Sequence, residues 1–266
     1  MIKYGYKQKI INSLHHILFN SNNFYNYKGL NFLSKLKYNN HNLVIIFHGS
    51  VFGKGINRVI FRGFDYNIEK TDIICVSDFL LNKYHNYVVN WSLSTKKYNV
   101  DCIYKELFSY LINKKKYNKV LFTGTSAGGY PSIKFACFFN SFALISNSQI
   151  YLEKHSSFNK LKNMVNKNDD EILYNDKQIE NIIEKNKPKR IIIFNNKKDS
   201  TYNNDLIPFI NYIKTNKMSN ILKVCCFDYN GIIPKNKNQH HIQFPDNAKH
   251  INSLKFCLNN HKLLYG

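Results

Sequence analysis

The sequence predicts an α/β domain built on a mostly parallel, doubly wound sheet, and three observations predict it. Short apolar runs alternate with amphipathic stretches along the chain, the pattern that places helices over a sheet. At 266 residues and 44% hydrophobic, the chain is long enough for one such core and needs no second domain. A glycine-rich turn, Gly124-Thr125-Ser126-Ala127-Gly128-Gly129, also stands directly between an apolar run and a helical pattern.

In chain order, the spacing predicts a first helix over about 7–19 and leaves Asn20 to Asn26 as an asparagine-rich loop. Strands follow at about 43–48, where Asn42-Leu43-Val44-Ile45-Ile46-Phe47 is a buried-strand run, at about 58–62, and at about 72–77. The helical pattern at about 103–116 leads to a strand at about 119–124 and a helix at about 130–139. Further strands are expected at about 142–147, at 190–195 through Arg190-Ile191-Ile192-Ile193-Phe194, and at 221–228. Helices at about 178–186, 205–216 and 246–259 complete the alternation. The polar stretch 150–189 is longer than a crossover needs and reads as a small helical cap within a single domain spanning 1–266.

Ser126 lies in a Gly-x-Ser-x-Gly turn between strand and helix, the context in which that pattern forms a nucleophile elbow. The glycines leave room for the helix to pack close to the strand. The serine would then stand at a helix N-terminus, where backbone N–H groups favour the charge that develops when a carbonyl is attacked. Such a serine needs a base, and the base an orienting acid. Asp199 fits the acid, in the polar loop after the Arg190 run; Asp205 is the alternative, also readable as a helix cap. The base lies in the loop after the last strand, at His241 or its neighbour His240. His48 reads as a structural brace.

These pieces resemble the α/β hydrolases. More narrowly, the chain resembles hydrolase-fold proteins of bacterial capsule and surface-polysaccharide biosynthesis, including O-acetyltransferases. The resemblance rests on Val44 to Gly49, Asp72 to Asp78 with Trp91 downstream, Leu121 to Tyr130, Ile145-Ser146-Asn147-Ser148-Gln149, Lys198-Asp199-Ser200 and the His241 loop, spread over roughly residues 40–260. It implies a Ser126, Asp199, His241 triad, and a preference for His241 because the wider fold often carries a His-x-x-Phe loop; His240-His241 stands where many relatives have Gly-His. It also implies an oxyanion hole from the backbone of Ala127 and of Ser50, with Gly49 as the alternative to Ser50. By resemblance the donor is acetyl-CoA, with no bound cofactor, and the acceptor is a hydroxyl of a capsular polysaccharide. The alternatives are a carboxylesterase or polysaccharide deacetylase and, in another class, a non-catalytic scaffold in polysaccharide assembly.

The formal net charge is +21, from 38 basic and 17 acidic residues. Abundant Lys, Asn, Ile, Tyr and Phe also follow from an AT-rich genome, but the scarcity of acids does not. A strongly basic surface attracts polyanions. No zinc-finger spacing, RNP-like strand or aromatic-interleaved basic helix points to nucleic acid, so an anionic polysaccharide is the expected partner, beside a possible capsule assembly complex. Six cysteines without a Cys-x-x-Cys pair read as reduced thiols, and no metal site is expected. The stretch Ile10 to Phe19 is broken by Asn12 and His15-His16, so neither a signal peptide nor a membrane span is expected. The expected location is the cytoplasm, peripheral to the inner membrane.

Overall fold

The computed structural model describes residues 7–50, 59–84, 89, 91–175, 178–228 and 247–260. Nine strands form one sheet: β1 Gln8–Ile11, β2 Ser21–Tyr27, β3 Leu30–Leu36, β4 Asn42–Phe47, β5 Thr71–Val76, β6 Lys119–Thr125, β7 Phe142–Ser146, β8 Arg190–Asn196 and β9 Leu222–Phe227. Their order is β1-β2-β3-β5-β4-β6-β7-β8-β9. β3 runs antiparallel to β2 and β5, and every other pairing is parallel. Six helices accompany them: α1 Val100–Lys115, α2 Gly129–Phe138, α3 Ser156–Asn166, α4 Gln178–Lys185, α5 Ile207–Thr215 and α6 Asn247–Asn259.

The central strands are apolar on both faces, as parallel strands covered twice must be. Leu43, Ile45 and Phe47 of β4 point to one side with Ile74, Phe122, Ile191 and Ile193, against α1 to α5. Val44 and Ile46 point to the other with Ile73, Leu121 and Ile192, against Leu254, Cys257 and Leu258 of α6 and the segment carrying Phe61, Phe64 and Ile68. Under the first face the rings of Phe47 and Phe135 stack at 5.6 Å, and Phe108 meets Phe135 edge-on at 5.2 Å. The chain leaves β4 toward β5 on one side and returns to β6 on the other. The crevice at the carboxyl ends of β4 and β6 is therefore the switch point of the sheet, where ligands bind in folds of this kind.

The N-terminal third differs from the sequence expectation. The stretch expected as a helix over 7–19 forms the edge strand β1 and a 3-10 turn, Leu14–His16, capped by Ser13. A helix would place Ile10, Leu14 and Leu18 on one buried face, yet Ile10 and Leu18 are 77% and 51% exposed and the chain buries Ile11 and Ile17 instead. The asparagine-rich loop at 20–26 is strand β2, which buries Phe24, Tyr25 and Tyr27. It turns into β3 through Lys28-Gly29, both at positive φ (50° and 87°), the backbone of a tight two-residue hairpin. Residues 59–62 of the strand expected at 58–62 are irregular, although Phe61 packs edge-on against Phe24. The polar stretch 150–189 contains α4 as expected and also α3, which buries Phe158, Leu161 and Val165.

At the amino edge of the sheet, Asp72 is fully buried at the start of β5. It accepts hydrogen bonds from the Lys37 N–H (2.9 Å), Asn40 Nδ2 (2.6 Å), Lys115 Nζ (2.8 Å) and the Tyr117 hydroxyl (2.6 Å). Removing one member of a buried pair strands the other, at a cost of about 3–5 kcal/mol. Asp72→Ala should therefore lower unfolding free energy in urea by about that amount. Lys115→Met, replacing a partly exposed partner, should cost less. Equal losses would contradict the network.

Candidate active site

The turn after β6 is shaped by backbone crowding. Ser126 has φ 55°, the left-handed region that costs a non-glycine residue strain. A Cβ on Gly124 would lie 2.3 Å from the Gly128 carbonyl oxygen, one on Gly128 2.5 Å from that of Phe47, and one on Gly129 2.0 Å from Ser148 Oγ. No side chain fits at any of the three. The chain passes from Ser126 through a 3-10 turn, Ser126–Gly128, into α2, so the serine sits at the amino end of a helical run. Ser126 is 8% exposed.

The loop after β4 lies against this turn. A Cβ on Gly49 would stand 3.1 Å from the Thr125 carbonyl oxygen and 3.4 Å from Ser126 Cβ. His48 braces the loop: its Nε2 accepts from the Asp78 N–H at 3.1 Å, so its proton is placed on Nδ1, which donates to the Gly49 carbonyl at 2.5 Å. Burial pushes the imidazole below its ordinary value of 6.5, against the opposing pull of the Asp78 carboxylate. Ser50, next in the loop, is half-buried, and Ala127 is buried.

Asp199 is buried in the turn after β8. Its Oδ1 accepts from the N–H of Thr201 (2.8 Å) and its hydroxyl (2.6 Å), and its own N–H donates to the Asn196 carbonyl at 3.0 Å. Asp205, in a π-helical turn before α5, has its carboxylate engaged elsewhere. It takes the N–H groups of Ile150 (2.6 Å) and Tyr151 (2.8 Å) and faces His155 Nε2 at 3.1 Å, fastening the segment before α3. Of the two aspartates, Asp199 is the one in the turn that directly follows β8, whereas Asp205 lies further on, in the turn before α5. His240 and His241 lie outside the described residues. The chain leaves β9 beside Asp199's turn, however, where the Lys197 N–H donates to the Phe227 carbonyl at 3.0 Å.

The Ser-Asn-Ser-Gln segment after β7 joins these parts. Asn147, at φ 42°, accepts the Asn196 N–H on Oδ1 at 2.8 Å, and the Gln149 N–H donates to the Ser126 carbonyl at 3.0 Å. Gln149 Oε1 in turn accepts the Trp91 indole N–H at 2.9 Å. One contributor was missed in the sequence: Lys134, 1% exposed within α2, donates to the Ser92 carbonyl and to Asp101 Oδ1, each at 2.7 Å. Its signal was a lone lysine in the otherwise apolar stretch Ile133 to Phe138. Among the described residues no group of three His, Cys, Asp or Glu side chains could hold a metal ion, and no helix is long and apolar enough to cross a membrane.

Solved structures of similar shape decide the fold. A capsule O-acetyltransferase of Neisseria meningitidis serogroup A superposes with a TM-score of 0.61 at 15% identity, over 92% of this chain and 97% of that one. An S-formylglutathione hydrolase from Staphylococcus aureus gives 0.53 at 14% identity, over 90% and 94%. The chain has the α/β-hydrolase fold. A glycosylation-associated protein complex from Streptococcus agalactiae also matches, with a TM-score of 0.55 at 13% identity, over 89% of this chain and 46% of that one. No family model matches the sequence, and no curated protein matches it either. In this chain β6 ends at the turn of Ser126, β8 ends before the turn of Asp199, and β9 precedes the stretch of sequence that holds His240 and His241.

Two measurements check this geometry. Gly128→Ala should destabilise the fold by about 1–3 kcal/mol, the usual range for overpacking, and abolish labelling of Ser126 by a fluorophosphonate. Unchanged labelling would mean that the crowding at Gly128 does not shape the turn. His48 supplies a pH test. Its folded pKa is depressed, so its contribution is fully present above the unfolded value of 6.5 and is lost as pH falls below it, where the unfolded chain binds a proton that the folded one refuses. Between pH 7.5 and 5.5 the wild type should lose more stability than His48→Gln, compared by urea unfolding.

Proposed function

We propose that the protein is an acyltransferase working through an acyl-Ser126 intermediate, with acetyl-CoA as donor and a hydroxyl of an anionic capsular or surface polysaccharide as acceptor. The observation that carries the reading is the strained Ser126 turn at the switch point, pressed against the loop of His48, Gly49 and Ser50, with the buried Asp199 at the end of β8.

In this reading His241 takes the Ser126 proton as Oγ attacks the thioester carbonyl, and the N–H groups of Ala127 and Ser50 hold the oxyanion. The C–S bond breaks, and the thiol leaves with the proton that His241 returns. The acceptor hydroxyl then attacks the acyl-enzyme and gives its proton to His241, which passes it to Ser126 as the sugar ester departs. Asp199 orients the imidazole and stabilises its charged form. The segment 150–189, with α3 and α4, serves as the cap of a single domain. The capsule O-acetyltransferase similarity and the lysine excess support the polysaccharide acceptor, and the similarity to a glycosylation-associated complex supports work beside an assembly complex. The similarity to S-formylglutathione hydrolase favours a second reading, hydrolysis of the same acyl-enzyme by water.

Ser126→Ala should lower turnover of an acyl ester by several orders of magnitude, and adding His241→Ala should cost little more, since the triad acts as a unit. A larger single loss for His240→Ala than for His241→Ala would move the base to His240. A protein that a fluorophosphonate leaves unlabelled at Ser126 would be a scaffold. Transfer and hydrolysis separate by acetate release from acetyl-CoA: a transferase consumes the donor slowly alone and fast with its polymer, whereas a hydrolase releases acetate equally in both. Salt supplies a further test. Raising ionic strength should increase KM for the polymer with little change in kcat, as the Debye length shrinks from roughly 10 Å at 0.1 M, while a small neutral ester responds little.

A further inference from the structure

A narrow cavity of about 10 Å³ lies beside Gly49 and Ala127, the residue that follows Ser126. Phe47, Val76, Val89, Trp91 and Pro131 form the apolar part of its wall. That volume is close to the space one water-sized group needs. Three polar residues also line it, His48, Asp78 and Ser92, but they bond to one another. The Asp78 N–H is given to His48 Nε2 at 3.1 Å, and the Ser92 N–H to Asp78 Oδ2 at 3.4 Å. Polar and apolar groups share the lining, and the space has room for one small group the size of a water or a methyl.

The far wall is held unusually firmly. Trp91 is 1% exposed, with its indole N–H on Gln149 Oε1 at 2.9 Å and its ring edge-on to Phe158 at 6.0 Å. Trp91 and Ser92 are consecutive non-glycine residues at positive φ, 55° and 50°. Such a backbone persists only where its surroundings over-determine it. Here the buried Lys134 ammonium does so, gripping the Ser92 carbonyl from α2 while Asp101 neutralises it, both at 2.7 Å. Widening the cavity therefore requires moving a tryptophan fixed at its ring and at its backbone.

We infer that Trp91 is the specificity-determining residue for acyl-group size, its fixed indole closing the cavity beside Ala127 to acyl chains longer than acetyl. The inference rests on the acyl-Ser126 reading and extends it to the donor. A pocket discriminates by about 10–200-fold per methylene-sized group, so the wild type should hydrolyse p-nitrophenyl acetate with kcat/KM at least tenfold above p-nitrophenyl butyrate and more above the hexanoate.

Trp91→Ala and the milder Trp91→Phe should each lower the acetate-to-butyrate ratio at least tenfold. Lys134→Met, which frees the Ser92 carbonyl, should lower it in the same direction. The ratio is taken on one preparation with two substrates, so partial unfolding of a variant cancels from it. Wild-type butyrate turnover within threefold of acetate would overturn the inference and leave acyl-Ser126 chemistry standing, as would an unchanged ratio in both Trp91 variants. Loss of all ester turnover together with no fluorophosphonate label at wild-type Ser126 would overturn the inference and the acyl-transfer reading together.

Discussion

The site depends on how closely three pieces of backbone approach one another at the end of β6. Gly124 touches the Gly128 carbonyl, Gly128 touches the carbonyls of Phe47 and His48, and Gly129 touches Ser148, each at a separation that excludes even a methyl group. Ser126 lies in the left-handed region within this crowded turn, and the β4 loop runs alongside it. The position of the turn follows from backbone contact, which leaves the Ser126 side chain out of the packing that fixes it. The pairing of Phe47 with Gly124 in register fixes the height at which the two loops meet.

Around this centre, side chains that bond to backbone hold the loops in place. His48 reaches Asp78, Asn147 reaches Asn196, Asp205 reaches Ile150 and Tyr151, and Lys134 reaches Ser92. Each bond joins loops at the carboxyl ends of strands that are neighbours in the sheet but distant in sequence, or ties such a loop to a helix. Loops otherwise tend to be the mobile parts of a fold. A serine nucleophile, by contrast, needs its partners held to within a fraction of an ångström. The cluster of bracing groups at this edge, including a lysine that is 1% exposed, meets that requirement without metal ligation or disulfides among the described residues.

The central sheet was legible in the sequence because its strands are continuous apolar runs, as at Val44 to Phe47 and Ile191 to Phe194, a signal that survives without knowledge of partners. The elbow was legible because its glycines are required by contact. The amino-terminal strands were not, for a physical reason. Ser21-Asn22-Asn23-Phe24-Tyr25-Asn26-Tyr27 has a polar composition, and its strand character comes from pairing with Leu30–Leu36, a tertiary effect. The apolar positions of Ile10 to Leu18 fit a helical period by coincidence, and nothing local revealed that Ile11 and Ile17, rather than Ile10 and Leu18, are buried. Among the candidate site residues, the sharp turn at Ser126 and the strand-end position of Asp199 were readable. Lys134 was not, since the value of a buried lysine lies in the carbonyl it meets across the fold.

The scarcity of acids acquires a sharper meaning once burial is known. Of 17 acidic residues, Asp72, Asp78, Asp170, Asp199 and Asp205 are buried, and the carboxylates of Asp101 and Glu106 are engaged with Lys134 and Lys28. Five of the 17 acids are thus buried, whereas Lys134 is the one buried Lys or Arg among the described residues. At α3 this is plainest: Lys160, Lys162 and Lys167 are exposed on or just after the helix, which contains no acid. The buried face of that helix places Phe158 against Trp91 at the wall of the cavity. If the acceptor is a polyanion, as proposed above, one drawn to those lysines would arrive on the helix whose Phe158 packs against Trp91.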